Sequence, residues 1–234
     1  MNGLSFFKKG EKMANKKAHI RYRSKIKILK NGNGIIFPGV TTIIDSQLGW
    51  NKRVLMAWAR REALKGNDPD IMAREAADSG TCTHYHVECH IKGEEMNLEN
   101  FTQDQINKAE TGYLAFLEWE MNNKLEYTHI EYPVVSELYE YGGTVDMVAK
   151  KNGSLLMIDL KTSKAIYPSH KIQLAAYVHA YNEQEEIPIT EFHILQLNKE
   201  DGSFQHHPIS QQTLDDGWEV FVHCRKLYNL AKKF

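Results

Sequence analysis

Two aspartates and a lysine sit on the arms of a short predicted hairpin, Gly142-Gly143-Thr144-Val145-Asp146 and Ile158-Asp159-Leu160-Lys161-Thr162. Asn152-Gly153 lies between the arms and suits the positive φ that both centres of a type I′ turn demand. Counting back from that turn sets Lys151 against Ser154, Val148 against Met157, Asp146 against Asp159 and Thr144 against Lys161. Side chains alternate across a strand. Asp146, Asp159, Thr144 and Lys161 then share one face, and Val145, Met147, Ala149, Leu156, Ile158 and Leu160 make an apolar set on the other. Directly opposed carboxylates have Cβ atoms about 5 Å apart, where like charges destabilise. A hard cation would resolve that conflict, since Mg²⁺ or Mn²⁺ takes one or two carboxylates, keeps several waters and accepts phosphate oxygen. Lys161 could then orient or deprotonate a water, or neutralise charge developing on a phosphate. On this reading Asp146→Asn removes one of two repelling charges and raises the stability of the metal-free fold. The plainer alternative is a solvated face whose acids never meet.

Several other elements must position these groups. Asp68-Pro69 reads as the N-cap and first residue of a helix that runs through Gly80 and His84 towards Ile91 and ends near Gly93. Cys82, His86 and His90 recur at every fourth position of that helix. The outer two would lie ~12 Å apart along its axis, too far to share one tetrahedral zinc. Lys52–Lys65 and Thr102–Asn123 are further helices, and 126–135 is a strand carrying Glu131. After the hairpin, a helix over 169–182 aligns Gln173, Tyr177 and Tyr181 in one stripe. Its amide and phenols could brace Lys161 or read a nucleic-acid strand. Residues 190–198 and 204–208 read as a hairpin turned by Asp201-Gly202, and 210–232 as a last helix.

Gly-Gly-Thr-Val-Asp, Ile-Asp-Leu-Lys-Thr-Ser and Gln173-Leu-Ala-Ala-Tyr177 together resemble the PD-(D/E)XK nuclease superfamily. The likeness is to its RecB-type branch, which includes phage exonucleases and the mitochondrial genome maintenance exonuclease. The stretch that carries the likeness runs from about Gly80 to Tyr181, and no proline precedes Asp146. The resemblance implies an α/β fold with a restriction-endonuclease-like core, a mixed central β-sheet flanked by helices. It implies Asp146, Asp159, Lys161, Gln173 and Tyr177 as catalytic residues. The metal shell would be Asp146, Asp159, the Leu160 carbonyl and His84, the last falling on the family's Gly-xxx-His; Glu131 is a further candidate ligand, as a similarly placed Glu is in some relatives. One or two Mg²⁺ or Mn²⁺ ions would serve an exonuclease acting on DNA ends in recombination, repair or phage DNA metabolism. A recombination or single-strand-binding protein is a candidate partner. A restriction-like or structure-specific endonuclease is the alternative, and a catalytically silent DNA-binding module is the alternative of another class.

Composition narrows the field. The chain has 234 residues and 42% hydrophobic content, enough for one core, so residues 18–234 read as a single nuclease domain. No run approaches ~18 apolar residues, so no membrane span is expected, and the lysine-bearing start lacks the apolar run of a secretory signal. Cys82, Cys89 and Cys224 are too few for a disulfide framework and read as reduced thiols in a bacterial or phage-infected cytoplasm. They also fall short of the four-cysteine iron–sulfur cluster that some RecB-type relatives carry. No phosphate loop of the Gly-xxxx-Gly-Lys-Ser/Thr type occurs, so no nucleotide cofactor is expected.

The net charge of −1 conceals a polarity, because residues 1–30 carry +9 and the remainder −10. Residues 1–17 read as a basic N-terminal segment, either a flexible solubilising tail or part of a phosphate-binding strip. From His19 to Ile28, Arg21, Arg23, Lys25 and Lys27 alternate with apolar residues, as in a half-buried strand. Cations spaced about 6.6 Å apart would track a phosphate backbone, although lysines also protect an ordinary edge strand.

Overall fold

The computed structural model describes residues 21–234; the basic 1–17 segment and the first residues of the expected first strand lie outside them. Short-range chemistry sets most element boundaries. Asp68 caps α3 (Pro69–Lys92) by accepting from the Asp70 and Ile71 N–H groups, and Gly93 ends it in the left-handed conformation. Thr102 and Gln105 form a capping box on α4 (Gln103–Met121). Asn152 and Gly153 take φ values of 52° and 87° between β4 (Tyr141–Lys151) and β5 (Ser154–Lys161), as the type I′ reading requires.

Five strands, β3 (Glu126–Ser136), β4, β5, β6 (Glu191–Leu197) and β7 (Phe204–Ile209), lie side by side in chain order. All neighbours are antiparallel except β5 and β6, which are parallel and joined through α5 (Pro168–Gln184). The sheet is therefore mixed, and helices cover both of its faces. On one face α1 (Val40–Gln47), α5 and α6 (Gln211–Ala231) enclose Val145, Val148, Leu155, Met157 and Ile194. On the other, α3 and α4 enclose Met147, Leu156, Ile158, Leu160 and Leu195. This is the α/β restriction-endonuclease-like architecture that the sequence implies. Among the described residues no helix is long and apolar enough to cross a membrane.

Two expectations are corrected here. Val145 and Met147 were expected on one face, yet they belong to opposite clusters, so β4 departs from strict alternation around Asp146. Both faces are buried, and no polar side fixes the phase of the strand. The first strand is also shallower than expected. β1 (Tyr22–Ile28) pairs with β2 (Gly34–Phe37) in a separate two-stranded ribbon, and Ile26, in line for burial, is 73% exposed. The helix α1 went unseen because its Val-Thr-Thr-Ile-Ile run favours strand over helix.

Gly142 and Gly143 are explained by packing. A Cβ on Gly142 would fall 2.3 Å from the Tyr22 ring, and one on Gly143 would fall 2.2 Å from Cε1 of Tyr177. The Tyr177 ring is buried in the core and has little room to give way. Gly143→Ala is expected to cost about 1–3 kcal/mol, the usual size of an overpacked core. A thermal melt checks this, and an unchanged midpoint would mean that the ring moves freely.

Candidate active site

The register of the central hairpin holds as counted from Lys151–Ser154 through Val148–Met157 to Met147–Ile158, and the ladder stops there. Asp146 and Asp159 are therefore not a paired cross-strand couple. Asp146 Oδ2 accepts the Leu160 N–H at 2.7 Å, so a side chain takes up a donor beyond the last strand pair. Asp159 lies next to Ile194 in the parallel ladder.

Asp146 meets two further groups. His84, on α3, brings Nδ1 to 3.3 Å from Asp146 Oδ1. Glu131 lies across from Asp146 on β3, between the pairs Ile130–Met147 and Tyr132–Val145. Its φ of +50° is rare for a residue with a side chain. Strain of this kind costs about 1–3 kcal/mol and clusters at functional sites. Ligand atoms of His84, Glu131 and Asp146 all lie within 4.8 Å of one another.

Asp159 is 2% exposed. Lys161 Nζ lies 2.5 Å from its Oδ2 as an ion pair, and Oδ1 meets no hydrogen-bond donor among the described residues. A buried carboxylate left so is costly unless something else occupies its lone pairs. This half-satisfied acid beside a His–Glu–Asp cluster fits a hard divalent cation.

The two acids titrate in opposite directions. Burial would raise Asp146, but the charge and hydrogen bond of His84, then Lys161 and the Leu160 N–H, hold it below the usual carboxylate range. His84 is raised in turn: burial pushes it down, and Asp146 and Glu131 outweigh that. Asp159 is pushed up to about 6, by burial first; Lys161 pulls it back and the charge of Asp146 raises it again.

From α5, Gln173 Nε2 donates to the Tyr177 hydroxyl at 2.8 Å. Tyr177 is raised well above its ordinary value by burial and the charge of Asp159, so it stays protonated. His170 was missed from the sequence. It lies one turn before Gln173 on the same helix, and burial and the charge of Lys161 lower it to about 4. Its position three residues before Gln173 and seven before Tyr177 was the available signal. Tyr22, whose hydroxyl lies 3.2 Å from Thr144 Oγ1, had no such signal, because the contact joins distant segments.

The proposed DNA contacts fare less well. Tyr181 is 2% exposed, and its hydroxyl meets His129 at 3.3 Å, so it offers no stacking face. A helical stripe specifies direction, and α6 together with the sheet closes over this part of α5. Lys27 pairs with Glu140, and the Arg23 guanidinium donates to the Gly34 carbonyl of its own ribbon. Arg21 and Lys25 stay exposed. The helical histidines are occupied elsewhere: His86 contacts the Cys82 carbonyl, and His90 contacts Glu120 and Tyr113.

These shifts reverse one expectation and sharpen another. Asp146 is stabilised in its charged form, so Asp146→Asn should lower, not raise, stability in chelator at neutral pH. For Asp159 the folded value of about 6 lies above the ordinary 3.8. The contribution of Asp159 is thus fully present below pH ~4 and is lost as pH rises through ~6, a swing on the order of 2–3 kcal/mol. Asp159→Asn should raise stability in EDTA at pH 7.5, and that gain should vanish by pH 4. Denaturant melts across this range measure it, and a gain independent of pH would show that Asp159 is not the strained acid.

A direct sequence comparison with curated proteins finds no match. Solved structures that resemble the chain include a candidate exonuclease from Eubacterium rectale, at 14% identity and a TM-score of 0.43, covering 62% of this chain and 64% of that one. LHK-Exo in complex with dAMP aligns at 10% identity and a TM-score of 0.39, over 68% of this chain and 86% of that one. SSO0001 aligns at 14% identity and a TM-score of 0.34, over 63% and 74%. The chain thus spans a little under two thirds of the Eubacterium rectale protein. A family model matches residues 56–229, well over half of the sequence and the whole of the Asp146–Tyr177 constellation, and the chain belongs to the PD-(D/E)XK nuclease superfamily.

Proposed function

We propose that the chain is a Mg²⁺- or Mn²⁺-dependent deoxyribonuclease that digests DNA from its ends, with residues 18–234 as one catalytic unit. The observation that supports this best is the buried Asp159 carboxylate, paired only through Oδ2 with Lys161, beside the His84–Glu131–Asp146 cluster. Asp146, Asp159, Glu131, His84 and the Leu160 carbonyl are the groups that would hold one or two ions. When bound, the ion supplies charge against the phosphate and lowers the pKa of a water.

The chain's own residues do the rest. Lys161 is partly exposed at the edge of the buried acid, so its ammonium can orient the attacking water and neutralise charge building on the phosphate. His170 stays neutral at physiological pH and adds no like charge beside that ammonium. Protonated Tyr177, held by Gln173, fixes the wall behind Asp159. Arg21 and Lys25 remain available to phosphates along the first ribbon, whereas Lys27 would first have to leave Glu140.

End-labelled linear DNA should be degraded in Mg²⁺ or Mn²⁺ and left intact in EDTA, while closed circles persist. Circles cut as fast as linear molecules would make the chain an endonuclease, and cleavage in chelator would remove the metal reading. Lys161→Ala should lower turnover by ~10²–10⁴-fold, the usual range for a positioned proton-transfer group. Mn²⁺ binding, read by calorimetry, should be retained in that variant; a wild-type rate would remove Lys161 from the chemistry.

A further inference from the structure

α2 (Lys52–Leu64) is a helix with almost no buried side, since Glu62 is its one buried residue. Val54 is 70% exposed and Met56 72%, and the helix packs chiefly against α3. Val54 and the exposed Trp50 line one open recess, and exposed apolar groups that cluster mark an interaction site. Charge narrows the kind of partner. Residues 50–66 hold Lys52, Arg53, Arg60, Arg61 and Lys65 against Glu62 alone, a net of +4 in a chain of −1. Glu62 is itself taken up by Lys65 and Asn67. At the start of α2 an open cavity of about 560 Å³ is lined by Trp50, Arg53, Val54, Ala57 and Arg61. Arg53, Ala57 and Arg61 recur at every fourth residue, so they share one stripe of the helix. Trp50 is 58% exposed and stacks on no other ring among the described residues.

An indole face, an apolar floor and two guanidiniums suit a nucleotide: a base stacks on the ring and phosphates meet the arginines. A duplex hides its base faces, so such a pocket takes an unpaired strand. The topology puts α2 in a useful place. α1 packs on the α5–α6 face and α3 on the opposite one, so the chain between them passes from one face of the sheet to the other. Of the helices that flank α2 in the chain, α1 follows Gly39, which pairs with Gly142, and α3 brings Gly80 against Thr162, both at the end of the sheet where Asp146 and Asp159 lie. We propose that Trp50, Arg53 and Arg61 form a pocket for a nucleotide of single-stranded nucleic acid, by which α2 holds the strand that leads to the acidic cluster. Its purpose rests on the nuclease reading; its binding does not, because no metal enters the pocket.

Fluorescence anisotropy of a short labelled oligothymidylate, in EDTA, separates the two. Trp50→Ala should weaken binding by ~10-fold or more, and Trp50→Phe should restore most of it. Arg53→Glu with Arg61→Glu should flatten the salt dependence by about 1.4 units, near 0.7 per phosphate on a single strand. A blunt duplex should be insensitive to Trp50→Ala. The pocket is overturned if Trp50→Ala binds the oligothymidylate as the wild type does, or if single-strand and duplex affinity fall together. A wild type that binds through Trp50 yet never cleaves would overturn the nuclease reading and leave the pocket standing.

Discussion

The hydrogen bond from the Leu160 N–H to Asp146 Oδ2 fixes the character of the whole site. A buried N–H must find an acceptor, and here it takes a carboxylate. That choice coincides with the end of the β4–β5 ladder after Met147–Ile158. It also gives Asp146 a fixed dipole to add to His84, so Asp146 is the acid that stays ionised. Asp159, buried beside that permanent charge, takes the opposing shift even with Lys161 against it. Two acids that look equivalent in sequence therefore differ in role before any ligand arrives.

How much of this is legible in the sequence depends on range. Asp68-Pro69, Gly93, the Thr102 capping box and Asn152-Gly153 act within a few residues, and each stands where its chemistry demands. Counting from that turn gives the β4–β5 register as far as Met147–Ile158 and no further, and the helix period gives the Gln173–Tyr177 stripe. The parallel pairing of β5 with β6 joins segments separated by all of α5, and no local rule specifies it. The phase of β4 failed for a different reason. A strand buried on both faces has no polar side, so alternation cannot say which way Val145 and Met147 point. Tyr181 failed because a stripe along α5 gives a direction and not a depth, and depth is set by what packs on top.

Glu131 was a candidate through the family resemblance, and its backbone was not readable at all. The left-handed φ sits inside a strand whose neighbours, Ile130 and Tyr132, keep normal register with β4. Ligand geometry thus comes from a local distortion that the surrounding ladder over-determines. The same ladder brings in His84 indirectly. Gly80 lets α3 approach Thr162, where a Cβ would fall 2.8 Å from the Thr162 hydroxyl, and His84 follows one turn later. Lys199 reinforces that approach by donating to the Ala76 carbonyl and Ser79 hydroxyl of α3.

The unfavourable terms gather within one small volume: a strained Glu131, a raised Asp159 and like charges on two buried acids. Each is worth on the order of 1–3 kcal/mol against a fold whose net stability is typically about 5–15 kcal/mol. The apolar clusters on the two sides of the sheet carry that load, and they include Val145, Met147, Ile158 and Leu160 directly beside the acids. A purely structural polar network would instead close its own hydrogen bonds, as His86 and His90 do two and six residues beyond His84 on α3. Asp159 Oδ1, by contrast, meets no hydrogen-bond donor among the described residues, and it stands beside a cluster in which ligand atoms of His84, Glu131 and Asp146 lie within 4.8 Å of one another. A donor set that is mainly carboxylate oxygen suits a positive, hard ligand rather than a soft one, because hard cations take oxygen donors.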